Sequence, residues 1–231
     1  MADSKVTTKT IGGGTLVSTP KISNSETANQ YGFAAIKSDG SVVAWGQNAT
    51  VPDSLNGTID AVQIYSSKDS FVVLRTDGAL IPLGNQSIDA ATLKKLDGTI
   101  DVTSVFSPGY GEAFFAIRAD GSVVAWGNVR DNNWKAIPIS IDPVISKQLD
   151  GSIDTQQIYS TGKAFAALRN DGSVVAWSTD ALESYGINKV AKQLDGTIDV
   201  VQIYQNGDPA FAALRADGSV VTWGDGKSVR R

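Results

Sequence analysis

Short apolar runs separated by Asp-Gly pairs recur along the chain. A run such as FAALR is followed by Asp-Gly and then by a second apolar run such as SVVAW. Runs of about five residues rich in Val, Phe and Trp and bounded by turn residues are typical of β-strands. The two runs therefore predict a hairpin, and Asp-Gly predicts a two-residue turn with positive φ at both central residues. The five copies occur at 33–46, 71–84, 114–127, 165–178 and 211–224.

A further apolar run precedes four of the five hairpins. It follows a string of the form [Asp/Asn]-Gly-[Ser/Thr]-Ile-Asp, as in LDGTIDVVQIY, and it predicts a first strand that gives each repeat three strands. The first repeat keeps only an echo of this block, GTLVSTPKIS. The predicted repeats span about 15–46, 55–84, 96–127, 149–178 and 194–224.

The repeats predict an all-β fold. Five small sheets that are apolar on both faces must stack on one another, either radially as a propeller or linearly. Successive Asp-Gly pairs are 38 to 51 residues apart, which fits a propeller blade of about 40 to 50 residues. We therefore expect a five-bladed β-propeller over residues 15–231, with part of a larger ring or a linear array as alternatives.

Other segments refine this architecture. In the N-terminal segment 1–14, VTTKTI alternates like a strand, and we expect it to pair with the last repeat and close the ring. Pro82 lacks the N–H for a sheet ladder, so the third strand of the second repeat should lie at an edge or be irregular. In the spacers, SIDAATLKK and TDALESYG each predict a helical turn, and Asp180 and Glu183 have capping-box spacing.

Composition excludes several classes of function. Lys plus Arg total 20 against 24 Asp plus Glu, with no clustered basic stripe, so nucleic acid is not an expected partner. No apolar run approaches eighteen residues, so membrane insertion is not expected either. The chain has no His and no Cys, which removes His-based catalysis, thiol chemistry and ordinary zinc sites. We expect no enzyme, cofactor or metal.

The quoted FAAL(K/R)xDGSVVAWG blocks resemble the regulator-of-chromosome-condensation (RCC1-like) repeat family. The resemblance is to its bacterial branch, which includes a β-lactamase inhibitor propeller, and it covers about 30 residues of every repeat through the pattern Leu-x-x-Asp-Gly-x-Val-x-x-Trp-Gly. It implies a propeller that binds other proteins through loops on one face. The chain departs from the family where an Asn, Gly and Gln run often follows Trp-Gly, which here is reduced to GQN and GN.

Two repeated features have competing interpretations. The hairpin tryptophans are predicted to lie in the core between sheets, with an aromatic ring for ligand stacking as the alternative; they are Trp45, Trp126, Trp177 and Trp223. The strings offer Asp97, Thr99 and Asp101 and their equivalents as oxygen ligands for Ca²⁺. Asx-turns, in which the first Asp or Asn accepts a nearby amide, are the preferred interpretation.

The loops between first and second strands differ in every repeat, as does the spacer 128–148 with Trp134, Ile137 and Pro138. Divergence among near-identical neighbours indicates either a recognition face for a protein or glycan or loops that are free to vary in sequence. The spacer is a partner anchor or a local lid. The candidate partner-binding residues are Lys68, Tyr110, Glu112, Trp134, Lys163 and Asp208.

We predict a non-catalytic binding module, extracellular or at the cell surface with the cytoplasm as alternative. The second hypothesis is a structural protein whose propellers assemble into higher-order arrays or filaments, with a homo-oligomer as a possible form.

Overall fold

The computed structural model describes most of the repeats and short parts of the N-terminal segment. The described residues are 9–11, 14–16, 29, 31–47, 49–84, 86, 88–108, 113–130, 136–139, 141–161, 164–178, 186–206 and 210–224. They belong to two compact units, one of residues 1–86 with 93–102 and one of residues 87–92 with 103–231.

The first compact unit contains three antiparallel sheets. A hairpin joins β1 (Lys9–Ile11) to β2 (Gly14–Leu16). The first sheet consists of β3 (Gly32–Ile36) and β4 (Val42–Gly46), and the second of β5 (Ala61–Ser66), β6 (Phe71–Arg75) and β7 (Leu80–Pro82), with β6 in the middle. Pro82 therefore lies on an outer strand, paired with Val72 alone, which confirms the prediction for this residue.

The N-terminal hairpin differs from the pairing expected for this segment. Lys9–Ile11 pairs with Gly14–Leu16, and residues 6–8 of VTTKTI lie outside the described part of the chain. Closure of a ring by residues 1–14 stays a prediction.

The second compact unit contains the remaining sheets. The third sheet consists of β8 (Val102–Phe106), whose first residue belongs to the first compact unit, β9 (Phe114–Arg118) and β10 (Val123–Trp126). A hairpin of β11 (Asn128–Arg130) and β12 (Ala136–Pro138) follows. The fourth sheet consists of β13 (Thr155–Ser160), β14 (Ala164–Arg169) and β15 (Val174–Ser178), and the fifth of β16 (Val200–Gln205), β17 (Ala210–Arg215) and β18 (Val220–Gly224).

The chain is thus all-β, with repeated antiparallel sheets that have three strands in four of the five repeats. In the first repeat most of the echo GTLVSTPKIS lies outside the described residues, and β3 and β4 make up its sheet. The five-bladed closed propeller remains a prediction beyond this coarser result.

Short helical segments occupy four spacers, and each segment ends on a buried leucine or is followed directly by one. The helices are α1 (Ala90–Lys95), α2 (Pro143–Gln148), α3 (Ile187–Val190) and two 3-10 turns, Asp53–Leu55 and Ala191–Gln193. Helix α1 confirms the prediction for SIDAATLKK, and Asp89 accepts the Thr92 N–H at 3.0 Å near its start. The predicted cap by Asp180 and Glu183 lies outside the described residues. The buried leucines are Leu55, Leu96, Leu149 and Leu194.

The Asp-Gly turns are longer than the sequence predicts. In the first sheet, Gly40 N–H donates to the Lys37 carbonyl at 3.0 Å, and Lys37 N–H donates to the Ser41 carbonyl at 2.8 Å. The loop therefore has three residues, and its glycine has a φ of 77°. The two-residue prediction is wrong, because a four-residue turn closed by a glycine bulge also places Gly at a positive φ. Asp39 stabilises it by accepting the Ser41 N–H at 3.0 Å.

The core consists of clusters between consecutive sheets, and most of the hairpin tryptophans lie in or beside them. Trp177 and Trp223 belong to such clusters, Trp126 is also buried, and the prediction of core tryptophans is confirmed for these three. It is wrong for Trp45, which is 53% exposed. Trp45 stacks on Phe33 within its own sheet, with ring centroids 5.6 Å apart, just as the buried Trp177 stacks on Phe165. The difference is that Phe165 and Trp177 pack in a cluster with a neighbouring sheet, whereas the face of Phe33 and Trp45 is exposed.

Each junction between repeats joins the string of one repeat to the Asp-Gly turn of the repeat before it. At the third sheet, Thr155 N–H donates to the Gly121 carbonyl at 3.2 Å and Val123 N–H donates to the Leu149 carbonyl at 2.9 Å. Asp154 lies against Gly121 without room for a Cβ between them. Equivalent contacts join Gly40 to Asp60, Gly78 to Asp101 and Gly172 to Asp199.

The two ends of the array lack half of this junction. Gly218, in the last Asp-Gly turn, has no atom of the described residues within 4 Å of the place where a Cβ would stand. The first repeat, at the other end, carries no [Asp/Asn]-Gly-[Ser/Thr]-Ile-Asp string in its sequence. The interior turns are therefore covered, and the last one is open.

Candidate functional site

The loops between first and second strands share a hydrogen-bonded base. In the second sheet Ser67 N–H donates to the Ser70 carbonyl at 2.9 Å, and Ser70 N–H donates back to the Ser67 hydroxyl at 3.1 Å. Similar bonds close the other three loops: Thr161 N–H to the Ala164 carbonyl at 2.9 Å, Asn206 N–H to the Ala210 carbonyl at 3.5 Å, and the Ser107 hydroxyl to the Ala113 carbonyl at 3.1 Å. The sheets thus hold every loop by its ends.

The loop tips differ above these bases. Between the closing residues lie two residues in the second repeat, five in the third, two in the fourth and three in the fifth. Lys68 is half-buried in the first of these tips, beside the buried Asp69. The other candidates lie outside the described residues: Tyr110, Glu112, Trp134, Lys163 and Asp208. Their role in partner binding stays a prediction.

The loops of the fourth and fifth repeats leave the sheets side by side. The Ser160 N–H, at the end of β13, donates to Oε1 of Gln205, at the end of β16, at 2.7 Å. Tyr159, the residue before Ser160, is buried between the two sheets. Its burial away from solvent raises the pKa of its phenol. The bond therefore links these two neighbouring loops at their bases.

The long spacer packs locally in its described part. The pair Val129 and Ile137 lies at the centre of the hairpin of β11 and β12. Val129 and Ile139 are buried in the cluster between the third and fourth sheets. The described part of the spacer thus packs locally through Val129 and Ile139, while the lid and partner-anchor interpretations of Trp134, Ile137 and Pro138 stay predictions.

The strings form Asx-turns, as predicted. The first side chain of each string accepts the backbone N–H two residues later, at 2.8 to 2.9 Å: Asn56 from Thr58, Asp97 from Thr99, Asp150 from Ser152 and Asp195 from Thr197. Hydrogen bonds from Thr197 hold the pKa of Asp195 below its ordinary value. The second Asp of each string lies at the junction instead, so the two carboxylates have separate structural roles. In the described ranges no three His, Cys, Asp or Glu residues are grouped to hold a metal ion.

A cavity of about 610 Å³ lies between α2, β15 and α3. Its walls are Val144, Ile145 and Ile187 on the helices and Trp177 on the strand. The guanidinium of Arg169 also reaches it, but this group donates to the Ser173 hydroxyl at 2.7 Å and to the Gln148 carbonyl at 3.4 Å. The cavity therefore combines an apolar wall with a guanidinium whose hydrogen bonds are made within the protein.

Sequence reasoning missed the exposed aromatic pair of Phe33 and Trp45. Their local sequence, GFAAIKSDGSVVAWG, is nearly identical to that of the buried copies, so no residue in the hairpin signals exposure. The missing string in the first repeat was the available signal, since each string brings a neighbouring sheet with it.

Within the described part of the chain, no helix has the length and apolar character needed to cross a membrane.

Comparison with protein families and curated proteins gives no match: no family model and no curated protein is similar to this chain. Solved structures do show similarity. The ectodomain of the Physcomitrella patens receptor kinase CR4 is 12% identical, with 86% of this chain and 49% of that chain covered and a TM-score of 0.46. Human WBSCR16 is 17% identical, with coverages of 85% and 60% and a TM-score of 0.45. Yeast RCC1 (Prp20), solved bound to Kap60, is 16% identical, with coverages of 84% and 54% and a TM-score of 0.44.

The chain spans about half to 60% of the length of these three proteins. Every TM-score is below 0.5, so their partners are not transferred to this chain. An RCC1 protein is among the similar structures, while the narrower assignment to the bacterial β-lactamase-inhibitor branch stays a prediction.

Proposed function

We propose that this chain is a non-catalytic binding module, in which stacked sheets of a β-propeller present the first-strand loops to a protein or glycan. The proposal rests mainly on the contrast between the loop bases, of which three share one backbone hydrogen bond and the fourth is closed by the Ser107 hydroxyl, and the tips, which differ in length and sequence. A fixed base beneath a variable tip orders a loop before binding, and this lowers the entropic cost of association. The absence of His and Cys from the chain agrees with a role in binding.

The predicted contact set combines aromatic anchors with a charged rim. Tyr110 and Trp134 each join a large apolar area to a polar tip, the chemistry enriched at interface hot spots. Charged residues of the loop tips would surround them: Lys68, Glu112, Lys163 and Asp208. We propose that the module acts outside the cell or at its surface, with a cytoplasmic location as the alternative.

Alanine substitution of the two anchors tests this function. A partner is first captured from the native source, and its affinity is then measured for the wild-type chain and for Tyr110→Ala and Trp134→Ala. Each variant should weaken binding by about 1 kcal/mol or more while the melting temperature stays nearly unchanged. Tyr110→Phe and Trp134→Phe are the matched controls and should retain most of the affinity. A large loss of stability with intact binding would show that these aromatics are local core.

Self-assembly is a second candidate, and one observation favours it. Large apolar side chains are exposed on a face of the first sheet and on a face of the fifth, among them Trp45 and Tyr204. Exposed apolar sheet faces are characteristic of association surfaces. An assembly protein would use these faces, whereas a binding module would use its loops.

A further inference from the structure

Consecutive sheets pack through two different faces. Between the fourth and fifth sheets, the fifth contributes the face with Phe211 and Trp223. The fourth contributes the opposite kind of face, with Tyr159, Ala166 and Leu168. We call these the Phe/Trp face and the Tyr/Leu face. The same division holds between the third and fourth sheets, where Phe165 and Trp177 form the Phe/Trp face.

The Phe/Trp face of the first sheet is exposed. Phe33 and Trp45 pair across β3 and β4 and stack in parallel, as Phe165 and Trp177 do in the fourth sheet. Phe165 and Trp177 are buried, whereas Phe33 is 51% exposed. Tyr31 and Val43, which continue the same face along the strands, are exposed as well.

The Tyr/Leu face of the fifth sheet is exposed too. Tyr204 occupies the position that Tyr159 occupies in the fourth sheet, and it is 58% exposed, whereas Tyr159 is 9% exposed. Val220, the equivalent of the partly buried Val174, is exposed beside it, across from Leu214. Among the described residues, the first sheet therefore exposes one half of the packing interface used between consecutive sheets, and the fifth sheet exposes the other half.

We propose that the Phe/Trp face of the first sheet docks on the Tyr/Leu face of the fifth sheet of a second copy of this chain. The interface inside the chain is the template: Phe33 and Trp45 would take the places that Phe211 and Trp223 take against Tyr159, Ala166 and Leu168. On the second copy they would meet Tyr204, Ala212 and Leu214. This arrangement differs from the predicted closed ring, in which the same two faces would meet within one chain.

Such contacts are head-to-tail, because two different surfaces meet. Each added copy leaves one face free at either end, so association continues unless the rotation closes it. The contact is weaker than the internal junctions, since the first repeat has no string to cover the open Gly218 turn. Self-association should therefore be reversible and dependent on concentration. This proposal supplies an interface for the second candidate function, and it is independent of binding through the loops.

The first measurement is the mass of the purified full chain over a wide concentration range by light scattering and sedimentation. We expect the average mass to rise with concentration beyond that of a dimer. A chain that stays monomeric at every concentration overturns the proposal, whether the faces meet within one chain or another segment covers them. That result would leave loop-mediated binding of a partner untouched.

Two charge substitutions, one on each face, then test the head-to-tail geometry. Trp45→Arg and Val220→Asp should each shift association to a concentration at least about tenfold higher. Mixed together, the two variants should form one-to-one dimers that do not grow, because Trp45→Arg keeps its fifth-sheet face and Val220→Asp keeps its first-sheet face. If association persists in both variants, or the mixture stays monomeric, the proposal is wrong.

A matched control separates a specific contact from general stickiness. Val144 is exposed on α2 and belongs to neither face. Val144→Asp should associate like the wild type, and an equal loss in this variant overturns the proposal. Circular dichroism first confirms that each variant is folded; if Trp45→Arg or Val220→Asp is not, Phe33→Lys and Tyr204→Lys replace them on the same faces.

Discussion

Asp154 lies directly against Gly121, so that a Cβ atom added to this glycine would stand 2.5 Å from the Asp154 Cα. Gly218 has a similar φ, 82° against 75°, but it has open space at the same position among the described residues. Both glycines thus adopt a left-handed backbone conformation, but only Gly121 also lies where a side chain would collide with the neighbouring repeat.

Gly121→Ala should destabilise the protein more than Gly218→Ala. Both alanines must adopt a positive φ, at a cost of about 1 kcal/mol. Only Gly121→Ala also pushes the string away from the turn, which raises the expected loss to about 2 to 4 kcal/mol. Urea denaturation of the two variants measures the difference, and equal losses would mean that the junction yields without cost.

Trp126→Ala should lower the free energy of unfolding by about 3 to 5 kcal/mol, the range for emptying a large aromatic from a core. Trp126 is buried and stacks on Phe114 with centroids 5.5 Å apart. Trp45→Ala is the control, because Trp45 also stacks on a phenylalanine but is half exposed. This substitution should lower the free energy of unfolding by about 1 kcal/mol or less. Both are measured by chemical denaturation at a concentration where the chain is monomeric.

Leu149→Ala should also be strongly destabilising, by about 2 to 5 kcal/mol. Leu149 is 1% exposed at the end of α2, and its carbonyl accepts the Val123 N–H. Leu93, in α1, is exposed, so Leu93→Ala should change stability by about 0.5 kcal/mol or less. A small effect of Leu149→Ala in thermal melting would contradict the role of these leucines in the junctions.

Stability should fall on acidification, and the strings should contribute to the fall. Hydrogen bonds from Thr197 keep the pKa of Asp195 below its ordinary value of 3.8, and similar bonds lower the pKa of Asp97 and Asp150. A carboxyl with a lowered pKa in the folded state stabilises it above the ordinary pKa. That contribution is lost as pH falls through the folded-state value, because the unfolded chain binds the proton first.

Asp195→Asn isolates this effect. The amide oxygen can still accept the Thr197 N–H, but it does not titrate. The variant should therefore lose less stability than the wild type when urea denaturation is compared between about pH 6 and about pH 3. An identical loss in both proteins would assign the pH dependence to other groups.

The hairpins and the three-stranded repeats could be predicted because their signals are local. Apolar runs predict the strands, and Pro82 predicts an outer strand because it has no backbone N–H to donate on a second side. The turn was predicted too short because Asp-Gly suits both a two-residue turn and a three-residue loop, and only the bond from Gly40 to Lys37 distinguishes them. Whether Trp45 is buried depends on a neighbouring sheet, and the sequence of its own hairpin does not indicate whether such a sheet is present.

The sequence could predict where the variable loops lie between strands, while the candidate partner-binding residues stay a prediction. The sequence placed the variable segments between strands, and the shared bond pattern at Ser67, Thr161 and Asn206 gives those segments a physical base. Contacts such as that between Ser160 and Gln205 join residues 45 positions apart, and no sequence period encodes them. The lengths of the tips follow from the sequence, but the chemistry of a partner does not.

The division of each junction between two repeats also bears on how such a chain grows by gene duplication. A copied repeat brings a string that fits the Asp-Gly turn before it, as Asp154 fits Gly121, and a turn that accepts the string after it, as Gly172 accepts Asp199. An in-frame duplication therefore creates a matched contact on both sides without any further mutation. A change in the number of repeats would thus leave each junction between string and turn intact.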